Sequence, residues 1–319
     1  MSYFKDSPRS ANPDSIQHLI QHPNRSERRR VKVPLLAGIV VACIAAVAGI
    51  SYLAPALTGG PILEQPAQAP PTPITYWPSA SNTGVPPGTT LRNSGGLSLR
   101  TDNQHVTGLN ITGCVNVHAR NVRITKSKIN CGSPAYAIRT LNTAVNLIVE
   151  DVEINGLGQN AVTICCGNYT LRRVNMYGMT DGPRLGTNTA VIDSYIHDLA
   201  RLPGTHNDAL QITGGSGVVV RHNTLQVYDA ATRDPMNACI MVGSETAPST
   251  NNMVFEDNYC DGGNWSIGVR TDLVATNLVF RNNKFGRNYR YGIIARPNQR
   301  GITWERSNVW FNTGLPVVP

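Results

Sequence analysis

The stretch that decides the fold is a nine-residue unit, written NLVFRNNKF at residues 277–285, which occurs eight times along the chain. An Asn or Gly opens each copy as position zero, apolar residues stand at +1, +3 and +8, and a small residue, Asn or Val stands at +6, with Thr189 at +1 as the one departure. Successive copies begin 25, 22, 20, 29, 35, 25 and 24 residues apart, a repeat length typical of a solenoid. The other seven copies are NVRITKSKI from Asn121, NLIVEDVEI from Asn146, NYTLRRVNM from Asn168, NTAVIDSYI from Asn188, GVVVRHNTL from Gly217, NMVFEDNYC from Asn252 and GITWERSNV from Gly301.

The spacing inside the unit predicts two short strands per coil, because positions +1 and +3 alternate as on a strand and the same parity returns at +6 and +8 after a bend. A third strand is predicted downstream, where a small residue precedes alternating apolar positions, as in ALQI from Ala209 and ACIM from Ala238. Three stacked strands per coil predict an all-β chain folded as a parallel β-helix; the leucine framework of a leucine-rich horseshoe is absent. We expect the +6 side chains to stack and hydrogen-bond along the axis. They are Ser127, Val152, Val174, Ser194, Asn223, Asn258, Asn283 and Ser307.

The N-terminal quarter of the chain has a different composition. Residues 33–57 carry no charge and are long enough to cross a hydrocarbon core as a single transmembrane helix. Residues 1–32 form a basic stem, so the positive-inside tendency predicts an uncleaved signal anchor with a cytoplasmic N-terminus; a cleaved signal peptide is the competing interpretation. Residues 58–75 are rich in Pro and Gly and are typical of a linker. Residues 76–319 are predicted to form the β-helix domain, outside the cell.

The net charge of +8 does not indicate a nucleic-acid partner. Residues 1–57 hold seven Lys or Arg and three Asp or Glu, which leaves 21 basic and 17 acidic residues in the remainder. The stem's charge is explained by topology, and the exported part is only mildly basic. The sequence also contains no P-loop motif and no dinucleotide-binding glycine motif after a predicted strand. We therefore expect no nucleic acid among the partners.

Six of the seven cysteines lie in the predicted exported part, and an even number suits an oxidising compartment. Six cysteines allow 15 pairings. Cys114 with Cys131, and Cys239 with Cys260, are about one coil apart and are candidates for disulfides between neighbouring coils. The adjacent Cys165 and Cys166 have no evident role in this pattern.

Polar side chains concentrate at the turn into the third strand. Equivalent positions of neighbouring coils lie about 4.8 Å apart. We therefore expect Asp181 and Asp208 to be near neighbours, with Asn160 and Asn237 on either side. Two carboxylates this close raise the pKa of one of them or recruit a cation such as calcium. A polar ladder that only satisfies backbone groups is the competing interpretation.

Outward positions of the third strand extend this patch. Arg184 and Gln211 follow the two aspartates at +3, and His206 precedes Asp208 by two residues. The two longest coil intervals flank the patch, and long excursions on a solenoid tend to build its binding face. The predicted catalytic residues are Asp181, Arg184, His206 and Asp208; the predicted substrate-binding residues are Asn160, Gln211, Asn237, Arg270 and Arg296; Asp181 and Asp208 are also candidate metal ligands.

Residues 76–311 resemble exported bacterial right-handed parallel β-helix proteins of the pectate lyase-like superfamily. The resemblance is carried by WPSASNTGVPPGTTL from Trp77, DSYIHDL from Asp193, GTHNDALQ from Gly204 with GGSGVVVRHNTL after it, and NNKFGRNYRYG near the end. It implies action on extracellular polysaccharides at an external face of the helix.

The resemblance is compatible with two mechanisms. Lyases of this group use a basic residue to remove the proton beside a uronate carboxylate, often with calcium held by acidic residues; Arg184, Arg270 or Arg296 would fill the first role and the two aspartates the second. Hydrolases of the group use several Asp residues as acid and base, which suits Asp181, Asp208 and His206. Pro183 interrupts the third strand just before Arg184.

Two functions therefore follow from the sequence. The first is a membrane-anchored enzyme that cleaves an extracellular, uronate-containing polysaccharide by a lyase-type or hydrolase-type reaction, with calcium as its candidate cofactor. The second is a non-catalytic surface module that binds glycan along a flat face.

Overall fold

The computed structural model describes residues 76–132 and 136–319, all within the compact unit Pro70–Pro319. The predicted stem, membrane span and linker at residues 1–75 lie outside the described residues. Within the described part, regular structure consists of strands that pair in parallel into three sheets, and no helix there is long and apolar enough to cross a membrane. The predicted all-β parallel helix of three strands per coil is confirmed.

Strands are numbered β1 to β25 in chain order. Sheet 1 contains β2 (His105–Thr107), β4 (Arg123–Thr125), β7 (Leu147–Glu150), β9 (Tyr169–Arg172), β12 (Thr189–Ile192), β15 (Gly215–Arg221), β18 (Thr250–Glu256), β21 (Ala275–Arg281) and β24 (Ile302–Trp304). Sheet 2 contains β1 (Arg92–Leu99), β3 (Leu109–Val117), β5 (Lys128–Asn130), β6 (Tyr136–Thr140), β8 (Glu153–Cys165), β10 (Asn175–Asp181), β13 (Tyr195–Ile196), β16 (Thr224–Val227), β19 (Tyr259–Gly262), β22 (Lys284–Phe285) and β25 (Val309–Trp310). Sheet 3 contains β11 (Arg184–Leu185), β14 (Gln211–Ile212), β17 (Ile240–Val242), β20 (Trp265–Val269) and β23 (Gly292–Ile294).

Sheets 2 and 3 are not separate in the first coils. Strand β8 runs for 13 residues without a break, and β6 pairs with both β3 and β8. The segments AIRT from Ala137 and AVTI from Ala161, which fit the same third-strand pattern as ALQI and ACIM, therefore belong to sheet 2. Sheet 3 is a separate sheet only from β11 onward. Gly182 and Pro183 lie between the end of β10 and the start of β11 and separate the two strands.

The repeat positions have the burial that the pattern predicts. In the coil that opens at Asn252, Met253 at +1, Phe255 at +3 and Cys260 at +8 are fully buried. Thr189 is also buried and its hydroxyl donates to the carbonyl of Gly186 at 3.0 Å, which explains why a polar residue is tolerated at +1. Each coil thus contributes one side chain to the interior at each inward-facing strand position.

Position zero is Asn or Gly because its backbone is left-handed. Asn277 has φ 58° and Gly301 has φ 88°, and these residue types adopt this conformation at the least steric cost. Neighbouring position-zero amides also bond to each other, as from Asn277 Nδ2 to Asn252 Oδ1 at 3.1 Å. A second left-handed residue at +5, such as Asp257 with φ 55°, turns the chain between sheets 1 and 2.

A buried asparagine ladder links the later coils at +6. Asn258 accepts hydrogen bonds from the backbone N–H and the side-chain amide of Asn223, and it makes the same two bonds to Oδ1 of Asn283. In the last coil the ladder continues at Asn308, whereas the repeat predicted Ser307. One extra residue causes the shift, because Trp304 pairs with Phe280 but Val309 pairs with Lys284; the Ser307 hydroxyl accepts from the backbone N–H of Asn282 instead.

The segment before β1 lies along the outer corner between sheets 1 and 2. The ring of Trp77 stacks on His222 at 5.4 Å and lies 5.9 Å from the ring of Tyr259. Farther along, the N–H of Gly84 donates to the carbonyl of Arg173 at 2.8 Å. The segment WPSASNTGVPPGTTL from Trp77 therefore contacts several coils from outside and acts as an outer clamp.

Both disulfide candidates are confirmed. Cys114 is bonded to Cys131 and Cys239 to Cys260, with Cα atoms 5.0 Å and 6.0 Å apart. Cys165 and Cys166 also form a pair at the end of β8. The hydroxyl of Thr140 accepts from the backbone N–H of Cys166 and donates to the carbonyl of Cys165.

Replacing a ladder amide tests how strongly the ladder holds the coils. Asn258→Ala leaves the backbone N–H of Asn223 without a partner in the core and removes one acceptor of the Asn223 side-chain amide, and each such group costs about 1–3 kcal/mol. We expect the free energy of unfolding to fall by about 3 kcal/mol, measured by urea unfolding followed by circular dichroism. Asn251→Ala in the same coil, where the amide donates to the hydroxyl of Ser249, should change it by less than about 0.5 kcal/mol. Equal losses in the two variants would contradict a special role for the ladder.

Candidate functional site

The backbone brings Asp181 and Asp208 together at the point where sheet 3 begins. Arg184 pairs with Gln211 in the adjacent coil, and the N–H of Gly182 donates to the carbonyl of Asp208 at 2.9 Å. A Cβ at Gly182 would lie 1.9 Å from the carbonyl oxygen of Ala209, so only glycine permits this approach. The backbone N–H of Asp208 donates to Oδ1 of Asp181 at 3.1 Å. The predicted neighbourhood of the two aspartates is present in the structure.

These residues line an open cavity of about 350 Å³. Seven of the nine residues predicted for the site lie around it, together with a methionine that the sequence pattern did not single out. The lining is Asp181, Arg184, Gly204, Thr205, His206, Asp208, Gln211, Asn237, Met241 and Arg270.

Asp208 is the most unusual group in the cavity. Only 2% of the residue is exposed, and its Oδ1 accepts a hydrogen bond from Asn237 Nδ2 at 2.7 Å. Burial raises the pKa of Asp208 to about 8, and the nearby charge of Asp181 adds to the increase, while the Asn237 amide and Arg184 act against it. Burial therefore favours the protonated form of Asp208 near neutral pH.

Asp181 has the opposite role in the pair. Burial raises its pKa as well, but the N–H of Asp208, the charge of Arg184, the hydroxyl of Thr180 and the charge of His206 all oppose that increase. Two neighbouring carboxyl groups in unequal environments divide into one acid and one base. The donors around Asp181 favour it as the charged member of the pair.

Two arginines stand on either side of the aspartates. The Nε of Arg184 is buried and has no hydrogen-bond partner within the part of the chain that the structure describes. Arg270 is held by Asp272 at 2.8 Å and Glu245 at 3.4 Å. A Cβ at Gly243 would lie 2.4 Å from Cδ of Arg270, so this glycine leaves the room in which the Arg270 side chain lies across the face of sheet 3. Arg184 is the donor that a ligand would satisfy.

Three predicted residues differ from the expected register. Ala238, not Asn237, pairs with Asp208, because residues 228–237 form a loop that shifts the count by one. The Asn237 amide still reaches Asp208 from the preceding position. Asp181 pairs with Val162, so the backbone of Asn160 is two residues from the expected alignment; an irregularity in the pairing of β8 with β10 causes the shift. Arg296 lies in an exposed turn with φ 57° and is not part of the cavity lining.

His206 is exposed at the rim, following Gly204 with φ 76°. The next residue, Asn207, was not singled out by the sequence, yet it is fully buried and its Nδ2 donates to the carbonyls of Thr180 and Ala200 at 2.8 and 2.9 Å. The one feature of the sequence that could have indicated Asn207 is its position beside Asp208 in GTHNDALQ. The role of Asn207 comes from its contacts inside the long loop, and the repeat pattern carries no information about those contacts.

A larger cavity of about 580 Å³ lies beside the same loops, on the side of sheet 2. Its carboxylates are already engaged: Asp198 contacts His197 at 2.7 Å, and Asp229 accepts from the N–H of Ala231 and the hydroxyl of Thr232. Among the residues that line it, no backbone N–H of one aspartate donates to the carboxylate of another, as Asp208 does to Asp181. The smaller cavity is the candidate reaction site.

The donor set of the cavity does not fit calcium. Calcium takes six to eight oxygen ligands, whereas the cavity lining offers two carboxyl groups, Asp181 and Asp208, with the amides of Gln211 and Asn237 beside them, and Asp181 accepts from a backbone N–H. Among residues 76–132 and 136–319, no group of three or more His, Cys, Asp or Glu side chains is arranged to hold a metal ion. We derive no step through a metal.

A solved structure with this fold is a tailspike protein of E. coli bacteriophage HK620, a double mutant in complex with a pentasaccharide, with a TM-score of 0.51, 16% identity, and coverage of 69% of this chain and 45% of that one. The catalytic domain of a GH87 alpha-1,3-glucanase variant in complex with tetrasaccharides matches with a TM-score of 0.42 and 10% identity, over 66% of this chain and 50% of that one. The chain thus spans about half the length of either protein. No protein-family model matches it, and no curated protein does. The tailspike likeness concerns the fold alone.

The raised pKa of Asp208 predicts a pH-dependent stability. Between about pH 4 and pH 8 the folded state keeps a proton that the unfolded state releases, so the free energy of unfolding falls as pH rises through this window, by at most about 1.4 kcal/mol per pH unit. Asp208→Asn does not ionise and should lose most of this dependence. Urea unfolding at about pH 5 and about pH 7.5 measures it. Identical pH slopes for the two proteins would contradict a protonated Asp208.

Proposed function

We propose that the β-helix domain is a glycoside hydrolase acting on an extended polysaccharide. The observation that carries the proposal is the placement of Asp181 beside the buried Asp208 in an open cavity, where burial raises the pKa of Asp208 to about 8. Glycosidases use two carboxyl groups: one carboxylic acid protonates the leaving oxygen, and the other carboxylate activates water or attacks the sugar carbon. Asp208 would donate its proton to the glycosidic oxygen, and Asp181 would act as base or nucleophile.

The surrounding residues suit a sugar chain. Gln211 and Asn237 offer amides to hydroxyl groups, while Met241 gives an apolar surface for a ring face. Arg184 and Arg270 favour a substrate that carries acidic units, in agreement with a uronate-containing polysaccharide. A tailspike with the same fold holds a pentasaccharide, which supports a glycan as the ligand class.

Hydrolysis is favoured over elimination because of the acid. A lyase needs a base that removes a carbon-bound proton, and arginine keeps its own proton in ordinary protein surroundings. Asp208 has the opposite property, since it is ready to donate. Formation of unsaturated uronate products, detected by their ultraviolet absorbance, would favour the lyase instead.

We further propose that residues 33–57 anchor the protein in a membrane and that the β-helix domain lies outside the cell. The uncharged span, the basic stem before it and the disulfides of the described part support this arrangement. Full-length protein should remain in the membrane pellet after alkaline carbonate extraction, whereas a variant lacking residues 33–57 should not. Release of the full-length chain by carbonate would oppose the anchor.

The central test compares isosteric variants on a panel of neutral and acidic polysaccharides, with added calcium or with chelator. Asp208→Asn and Asp181→Asn should each lower the rate of reducing-end formation by about 10²-fold to 10⁴-fold. Asp257→Asn is the matched control: burial also raises the pKa of Asp257, it lies outside the cavity, and asparagine tolerates its φ of 55°. Saturable glycan binding without cleavage by the unaltered protein would identify a non-catalytic module.

The pH profile of cleavage should show the acid directly. As pH rises through about 8, Asp208 loses the proton that the leaving group needs, so kcat should fall on the alkaline side. Buffers of constant ionic strength and a saturating polysaccharide isolate this limb. An alkaline limb absent up to about pH 10 would exclude Asp208 as the general acid.

A further inference from the structure

We propose that Arg201 is a positioning residue that ties the two long excursions together and thereby holds Asp208 and Asn237 in their working arrangement. The first excursion is residues 197–210 between β13 and β14, and the second is residues 228–239 between β16 and β17. This inference rests on the proposed function, since it concerns the same site.

Arg201 bonds to both excursions at once. Its Nε donates to Oδ2 of Asp234 at 2.7 Å, which crosses from the first excursion to the second. Its Nη1 donates to Oδ1 of Asn207 at 3.1 Å and to the carbonyl oxygen of Thr205. Arg290 reaches the same carboxylate from a later coil, with Nη2 3.4 Å from Oδ1 of Asp234. The planar guanidinium joins these partners in a fixed geometry.

On the first excursion, the tie ends at the buried Asn207. Its Nδ2 is used by the carbonyls of Thr180 and Ala200, so Oδ1 is the atom left to accept from Arg201. Thr180 directly precedes Asp181, and Asn207 directly precedes Asp208. A displacement of the Asn207 side chain would therefore shift the backbone next to both aspartates and move both carboxyl groups.

On the second excursion, the tie ends at Asp234. Its Oδ1 accepts from the N–H of Met236 at 3.0 Å and fixes the turn that leads to Asn237. Asn237 closes the circuit, because its N–H donates to the carbonyl of Asn207 at 3.1 Å and its Nδ2 donates to Asp208. Arg201 is thus the side chain that adds to this backbone contact and joins both excursions around one hydrogen bond, from Asn237 to Asp208.

Stability and activity should respond differently to its loss. The Arg201 side chain is 42% exposed and Asp234 20%, and ion pairs of this kind contribute no more than about 1 kcal/mol to folding. Misplacement of a reacting group by about 1 Å, however, lowers rates by about 10²-fold. A merely structural contact would change stability and rate together; a positioning contact changes the rate alone.

The test is a cycle of Arg201→Ala, Asp234→Asn and the double variant, assayed on the polysaccharide that the unaltered protein cleaves. Each single variant should lower kcat by about 10-fold to 100-fold with KM changed by less than about 3-fold, and the double variant should lose no more than either single one. Arg281→Ala is the control, since Arg281 pairs with Glu256 at the same 2.7 Å distance and equal 42% exposure on sheet 1. Losses that add, appear mainly in KM, or equal those of the control would overturn the proposal.

Hydrogen exchange tests the positioning role of Arg201 independently of the proposed hydrolase activity. Arg201→Ala should speed exchange at the backbone N–H groups of Asp208 and Asn237, whose acceptors are Asp181 and Asn207, with no substrate present. Unchanged exchange would refute the positioning role even in an active enzyme. Faster exchange in a protein that cleaves no glycan would uphold the coupling and reject the hydrolase.

Discussion

The internal hydrogen bonds that stack one coil on the next determine everything else in this molecule. A side chain in a solenoid has few neighbours from its own coil, so its surroundings depend on which residue the next coil places above it. The buried ladder through Asn223, Asn258 and Asn283 holds that alignment in the later coils, because each amide bonds both the backbone and the side chain of the next. A slip by one residue would turn every apolar side chain outward. Register is therefore the constraint from which the site inherits its geometry.

The repeat allowed much of this to be predicted. Positions +1, +3 and +8 require only that a side chain face inward, and in the seven copies from Asn121 to Phe285 they were placed correctly because burial follows the period of the strand. In the last copy Val309 at +8 pairs with Lys284 and is one residue out of register. Asp181 and Asp208 were also brought together correctly, since the chain between them keeps its register through Arg184 and Gln211. The errors fall where regularity ends. Asn160 follows an irregular pairing in β8, and the shift at Asn237 arises in the loop from Tyr228.

The chemistry of the site was less predictable than its location. When two carboxyl groups lie close together, their pKa values move apart, but their proximity alone does not determine which one keeps the proton. Here burial under the excursions raises the pKa of Asp208, the charge of Asp181 adds to the increase, and the hydrogen bond from Asn237 opposes it. Neither the repeat nor the motif GTHNDALQ contains that information. Asn207 and Arg201 were missed for the same reason, as their roles arise from contacts between two loops of unequal length.

This division between regular coils and irregular loops explains how a reactive pair is tolerated. A buried aspartic acid beside a carboxylate lowers the free energy of unfolding as pH rises, so the surrounding scaffold has to supply stability from elsewhere. The ladder, the two disulfides between coils and the outer clamp at Trp77 all lie outside the cavity and do not depend on its ionisation. The excursions contribute Leu199, Leu210, Met236 and Cys239 to the core, and their exposed parts are held by the ion pairs of Asp234 with Arg201 and Arg290. The loops can therefore change their contacts around Asp208 while the coils keep both aspartates in register, which is the arrangement that a solenoid needs if one scaffold is to support different chemistry on its face.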